Sequence, residues 1–123
     1  MDAAEQVLGV VNSDGDTSAG VAVVLYIAGT SLVRTLAVTE ILFVTDLQVI
    51  TEDGGDIFVD TDTDADGDHD AFDILMAGRL AANGGLSAHF QVHHQCARGK
   101  LPKLYASATN RDTLVLHGYV RAG

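Results

Sequence analysis

The stretch "LSAHFQVHH", residues 86–94, decides how the chain should be read. Its apolar residues fall at every second position, Leu86, Ala88, Phe90 and Val92, with Ser87, His89, Gln91 and His93 between them. A period of two places alternate side chains on opposite faces of a β-strand, whereas a helix would repeat at 3.6.

Working outward, the same alternation returns. In "TLVLHGYVRAG" (113–123), Leu114, Leu116 and Val120 face one way, and His117, Tyr119 and Arg121 the other. In "FDILMAGRL" (72–80), Phe72, Ile74, Met76 and Leu80 share a face, with Gly78 leaving room for close approach. "GVAVVLYI" (20–27) and "EILFVTDLQVI" (40–50) are apolar on both faces, as strands covered on both sides would be. The spacing predicts eight strands, at 20–28, 31–38, 40–51, 56–62, 72–81, 86–95, 103–109 and 113–121. Turn-forming "AGTS", "EDGGD", "ANGG", "ARGKLP" and "TNRDT" separate them. No stretch makes a convincing helix. The expected fold is all-β, an antiparallel eight-stranded β-sandwich of jelly-roll type. It spans 1–123 as a single domain, with 1–19 an N-terminal arm or an extra strand.

The 123 residues include one cysteine, Cys96, so no disulfide can form within the chain. Cys96 reads as a buried structural residue rather than a reactive thiol. "MDAAEQVLGVV" lacks the basic start of a signal peptide, and the longest apolar run is too short to span a bilayer as a helix. Seventeen acidic against seven basic residues give a net charge of −10, which argues against nucleic-acid and anionic-membrane partners. Fourteen of the acids are Asp, and the only lysines are Lys100 and Lys103. That bias resembles proteins of halophilic organisms, although outside residues 60–73 ten acids face the seven bases, a balance of only −3.

The acid concentrates in "DTDTDADGDHDAFD" (60–73). Counted from Asp62, the residues Asp62, Asp64, Asp66, Asp68, Asp70 and Asp73 fall at positions 1, 3, 5, 7, 9 and 12 of a calcium loop, with Gly67 at the sharp turn. A Ca2+ ion needs six or more oxygens, and alternating carboxylates on a tight loop can converge on one. Two departures stand against it: position 12 is Asp rather than Glu, and the flanks are strands rather than helices. The opposing reading, an acidic turn solvated and screened by salt, stays open.

His89, His93, His94, Cys96 and His117 invite a zinc reading. His89 and His93 share a strand face but stand roughly 13 Å apart along it, so a site would need His117 or Cys96 to approach from a neighbouring strand. The alternative is a row of polar side chains on an exposed or intersubunit face. No nucleophile elbow, P-loop or dinucleotide turn is present, and the chain is expected not to be an enzyme.

"VTDLQVITEDGGDIFVD" (44–60), "FDILMAGRLAANGGLSAHFQVHHQCARGKLPKLYASAT" (72–109) and the closing "LVLHGYV" (114–120), with Gly118 and Tyr119, resemble small jelly-roll, TNF-like virion proteins of tailed viruses: capsid decoration, turret and tail-associated proteins. With the Asp-rich composition, the resemblance points to a virus of a halophilic host. It implies a structural virion component that decorates the capsid. It also implies a homo-oligomer, a trimer before a pentamer, partnered by other capsid or tail proteins, with no catalytic residues. The rival readings are a calcium-dependent, lectin-like binding module using 60–73, and a cupin-like metalloenzyme using His89, His93 or His117. The scarcity of stacking platforms, three tyrosines and no Trp, counts against the lectin.

Overall fold

The computed structural model describes residues 4–13, 20–61, 74–106 and 111–123. Among them the chain is all-β, with no helix and two antiparallel sheets. The strands are β1 (Glu5–Ser13), β2 (Val21–Ala22), β3 (Val24–Ile27), β4 (Glu40–Thr51), β5 (Gly55–Asp60), β6 (Ile74–Leu80), β7 (Gly85–Gln95), β8 (Lys103–Ala106) and β9 (Asp112–Ala122). One sheet runs β3-β1-β9-β4-β7 and the other β2-β8-β5-β6.

The core lies between the sheets. Val7, Val11, Leu25, Leu42, Val44, Leu47, Val49, Leu114, Leu116 and Val120 come from the five-stranded sheet, and Ile57, Val59, Leu75, Met76, Leu104 and Ala106 from the other. Cys96 is also buried there. Period-two burial along β1 and β9 follows directly from the pleat: Val7, Gly9 and Val11 point inward, as do Leu114, Leu116, Gly118 and Val120.

Three expectations need correction. The strand expected at 20–28 is divided at Val23, whose N–H bonds the Pro102 carbonyl at 3.0 Å. β2 pairs with β8 in one sheet (Val21 opposite Leu104), whereas β3 pairs with β1 in the other (Tyr26 opposite Leu8). Val21, Val23 and Leu25 keep facing the core across the break, and the second apolar face of "GVAVVLYI" is Val24 and Tyr26, which lie on the outward face. The strand expected at 31–38 is a loop with one bridge, Tyr26 to Val33. Thr30 N–H bonds Ile27 O at 3.0 Å to turn the chain, and Arg34 N–H returns to Leu25 O at 2.8 Å. The third concerns Val92, expected inside but 89% exposed. Between the pairs Asp46–His89 and Val44–His94, β4 spends one residue and β7 spends four, so β7 is irregular there: Val92 is left exposed, while Phe90 and His94 on either side stay half-buried in phase. Conversely β1, within the segment read as an arm or extra strand, is a strand between β3 and β9.

The "ANGG" turn is where the sequence places it, with Asn83 at φ 57° and Gly84 N–H bonded to Ala81 O at 2.9 Å.

Arg34 fastens the 31–38 loop. Its Nη1 donates to Glu40 Oε1 at 2.8 Å, its Nη2 to Glu40 Oε2 and its Nε to Glu5 Oε1, and Ala37 N–H adds a bond to Glu40 Oε1 at 2.8 Å. The Arg34 guanidinium holds the Glu40 carboxyl down at about 2, from an ordinary 4.5. A depressed carboxyl stabilises the fold fully above its unfolded pKa, and that contribution is lost as pH falls from about 4.5 towards 2. Arg34→Ala should therefore cost about 2 kcal/mol at pH 7. Urea unfolding of both proteins should show the gap closing as pH falls through that window.

Candidate functional site

The outward face of the five-stranded sheet carries the side chains that the core does not use. Cross-strand register sorts them into rows. One row runs Tyr26, Leu8, His117, Asp46, His89 across β3, β1, β9, β4 and β7. The next runs Val24, Val10, Val115, Gln48, Ser87. A third runs Gln6, Tyr119, Phe43, Gln95. The face is thus divided, apolar over β3, β1 and the middle of β9, and polar over β4 and β7. Val24 and Ile50 are exposed, and Leu8, Val10, Tyr26 and Val115 half-buried.

The double-sided apolar pattern of β4 has a local cause. A bulge between Val44 and Asp46 switches the inward phase from Leu42 and Val44 to Leu47 and Val49. It also turns Asp46 outward. Thr45 Oγ1 donates to His117 O at 3.1 Å and to Asp46 Oδ2 at 3.0 Å, which fastens the bulge to β9.

Asp46 stands between two histidines, His89 on β7 and His117 on β9. His89 Nδ1 lies 2.6 Å from Asp46 Oδ1. The hydrogen bond from His89, then that from Thr45, holds the Asp46 carboxyl below the usual carboxylate range, with His117 adding a smaller charge effect. These three side chains, with Gln48, Ser87 and Val115, line a shallow cleft of about 470 Å3.

His93 belongs to a different group. Its Nδ1 is 2.8 Å from Tyr119 Oη, and its ring meets Tyr119 edge-on at 5.3 Å. Tyr119 stacks on Phe43 at 5.0 Å, with the Arg121 guanidinium 5.7 Å from its centroid. The structure therefore separates the histidines that the sequence groups together. His117 shares the level of His89 but stands two strands away, on β9, with Asp46 of β4 between them. Cys96 is buried in the core. Asp46 was missed by the sequence reading, although the one charged residue inside "ILFVTDLQVI" was a signal that could have found it.

The calcium-loop residues Asp62, Asp64, Asp66, Asp68, Asp70 and Asp73 lie outside the described residues. Their distribution still bears on the rest of the molecule. The described residues hold eight acidic and seven basic side chains, a net of −1, so nine of the seventeen acids belong to the remainder.

Comparison with family models, with curated proteins and with solved structures finds no match to this chain.

Proposed function

We propose that this chain is a structural virion component, a capsid decoration or turret subunit of jelly-roll type that works as a homo-oligomer, a trimer first. The observation that carries the reading is the apolar half of the five-stranded sheet, which no other described strand covers. Leu8, Val10, Val24, Tyr26 and Val115 form a contiguous apolar patch on the outward face of central and edge strands, and burying such a patch against a partner is the ordinary way to stabilise it.

The occupant proposed for it is a second copy of the chain. The described residues carry a net charge of only −1, and the residues of the patch themselves are uncharged. The jelly-roll assignment draws support from strand order. Counting β2 and β3 as one bent strand, assigned by its β2 half, leaves eight, and of the consecutive strands only β5 and β6 then share a sheet, while the β3 half crosses over to pair with β1. The virion setting rests on the sequence resemblance, and capsid or tail proteins would be the further partners. An acidic, salt-solvated surface would suit a particle from a halophilic host.

Light scattering in high salt tests the reading. The expected mass is three times the 12.9 kDa of one chain. Val10→Glu, between Val24 and Val115 at the centre of the patch and away from the core, should reduce it to one chain without loss of strand signal in circular dichroism. A wild-type monomer would overturn the proposal. Repeating the measurement with a chelator separates two roles for residues 60–73. A trimer that persists makes them a solvated turn, and one that dissociates makes them a calcium-held element.

A further inference from the structure

We propose that Arg98 and Arg121 form a docking site for an extended peptide of a partner protein that carries carboxylates at alternate residues. The two cations flank one strand. Arg121 is opposite Ile41 in the β4–β9 ladder, and the neighbouring outward pair is Tyr119 with Phe43. Leu42 and Val44 point into the core, so Ile41 and Phe43 face outward with Tyr119 and Arg121. The chain after β7 follows the other side of β4, where Cys96 N–H bonds Leu42 O at 3.0 Å and Gly99 N–H bonds Glu40 O at 2.7 Å. That path carries Arg98 to the level of Ile41. A Cβ built on Gly123 would stand 2.8 Å from Ile41 Cδ1 and 3.1 Å from Arg98 Nε, so the Arg98 side chain reaches the outward side. Ile41, Phe43 and Tyr119, all half-buried, thus make an apolar floor beside two exposed guanidinium groups.

Charge points to the ligand. Glu5 and Glu40 lie at this end of the sheet, opposite Val120 and Ala122, and both are taken up by Arg34. Arg79 is paired with Asp56. Among the described residues neither Arg98 nor Arg121 has a carboxylate partner, although acids outnumber bases seventeen to seven in the chain. Two cations left uncommitted in so acidic a chain are available to an anion brought from outside.

A guanidinium grips a carboxylate through two parallel N–H donors, a geometry that ammonium groups lack. Arg121 is already positioned for this. Its guanidinium lies 5.7 Å from the centroid of Tyr119, whose ring stacks on Phe43 at 5.0 Å and whose Oη is 2.8 Å from His93 Nδ1. An arginine held over a ring loses less freedom on binding than one in open solvent. The floor also shields one side of each ion pair from salt. Spacing selects an extended chain. The two arginine backbones stand two strand spacings apart, about 9.6 Å, and alternate residues of a strand put side chains on one face about 6.6–6.8 Å apart. Arginine side chains leaning over Ile41 close the difference. Nucleic acid is the weaker candidate, because the net charge of −10 repels a polyanion.

The test is fluorescence anisotropy of a dye-labelled six-residue peptide that alternates Glu and Thr, in about 0.1 M salt. Saturable binding of one peptide per chain is expected, with the matching Gln–Thr peptide about tenfold weaker or worse. Arg98→Gln and Arg121→Gln should each weaken binding by about tenfold. Arg121→Lys keeps the charge but loses the fork, and should weaken it too. Both positions are exposed, and circular dichroism confirms that the variants fold. Absence of saturable binding, or binding that the two Gln variants leave unchanged, overturns the proposal. So does equally tight binding of a sulfated polysaccharide or a single-stranded oligonucleotide, which would make this a general anion patch. The site shares no residue with the patch assigned to self-association and the readout is not oligomeric mass, so the assembly reading stands or falls separately.

Discussion

Gly118→Ala should leave little folded protein. Gly118 is buried in β9, the central strand of the five-stranded sheet, beside the bulge at Thr45–Asp46. A Cβ built there would lie 2.1 Å from the Phe43 carbonyl oxygen and 3.1 Å from its carbon. Those are backbone atoms of β4, which is bonded to β9 along its whole length and cannot step aside without breaking the ladder. Ordinary overpacking costs about 1–3 kcal/mol because side chains can shift, and this obstacle has none to shift. We expect a loss of about 3 kcal/mol or more, out of the roughly 5–15 that hold a domain together. Chemical denaturation, or soluble yield where the variant is too unstable to purify, measures it. A variant within 1 kcal/mol or so of wild type would mean that the bulge can relax.

Leu116→Ala is the second large effect, and a partner residue sharpens it. Leu116 is fully buried and lies directly over Gly9 of the neighbouring strand. Truncation removes its contacts and leaves a cavity, a change that costs about 2–5 kcal/mol in well-packed cores. Gly9→Ala fails for the opposite reason, since its methyl would stand 2.7 Å from Leu116 Cγ and 2.8 Å from Cδ1. In the double variant the new methyl occupies part of the space the leucine vacates. The two losses should therefore add to more than the loss measured for both together, with a coupling of about 1–2 kcal/mol. Urea unfolding of the four proteins gives the cycle. Strict additivity would show that the two positions do not share that space.

Most of the architecture was legible in the period-two segments. "TLVLHGYVRAG" states its inward and outward residues correctly because β9 runs unbroken between two partners, so nothing disturbs its phase. "LSAHFQVHH" is legible except at Val92, because extra residues in one strand at a bulge leave no trace in composition. "SLVRTLAV" reads as a strand on propensity alone. What makes it a loop is Arg34, whose two carboxylate partners come from Glu5, outside the segment, and Glu40, two residues beyond its end. The candidate site was half visible. His89 and His117 stand out as residue types, but their common level, and the carboxylate between them, depend on cross-strand register, which a single strand's sequence does not contain. Gly118 was noted as part of a closing motif, and only the β4 bulge explains why glycine stands there.

The placement of β9 also governs when the fold can form. Residues 112–122 sit between β1, from the opposite end of this stretch of sequence, and β4. Joining Glu5 to Val120 closes nearly the full length of the 123-residue chain before the ladder returns any stabilisation. A nascent chain that lacks β9 has β1 without its central partner and β4 with only β7 beside it, each presenting unpaired backbone edges. Such topologies fold in milliseconds to seconds rather than microseconds. Until β9 arrives, those exposed edges are the places where copies of the unfinished chain would stick to one another.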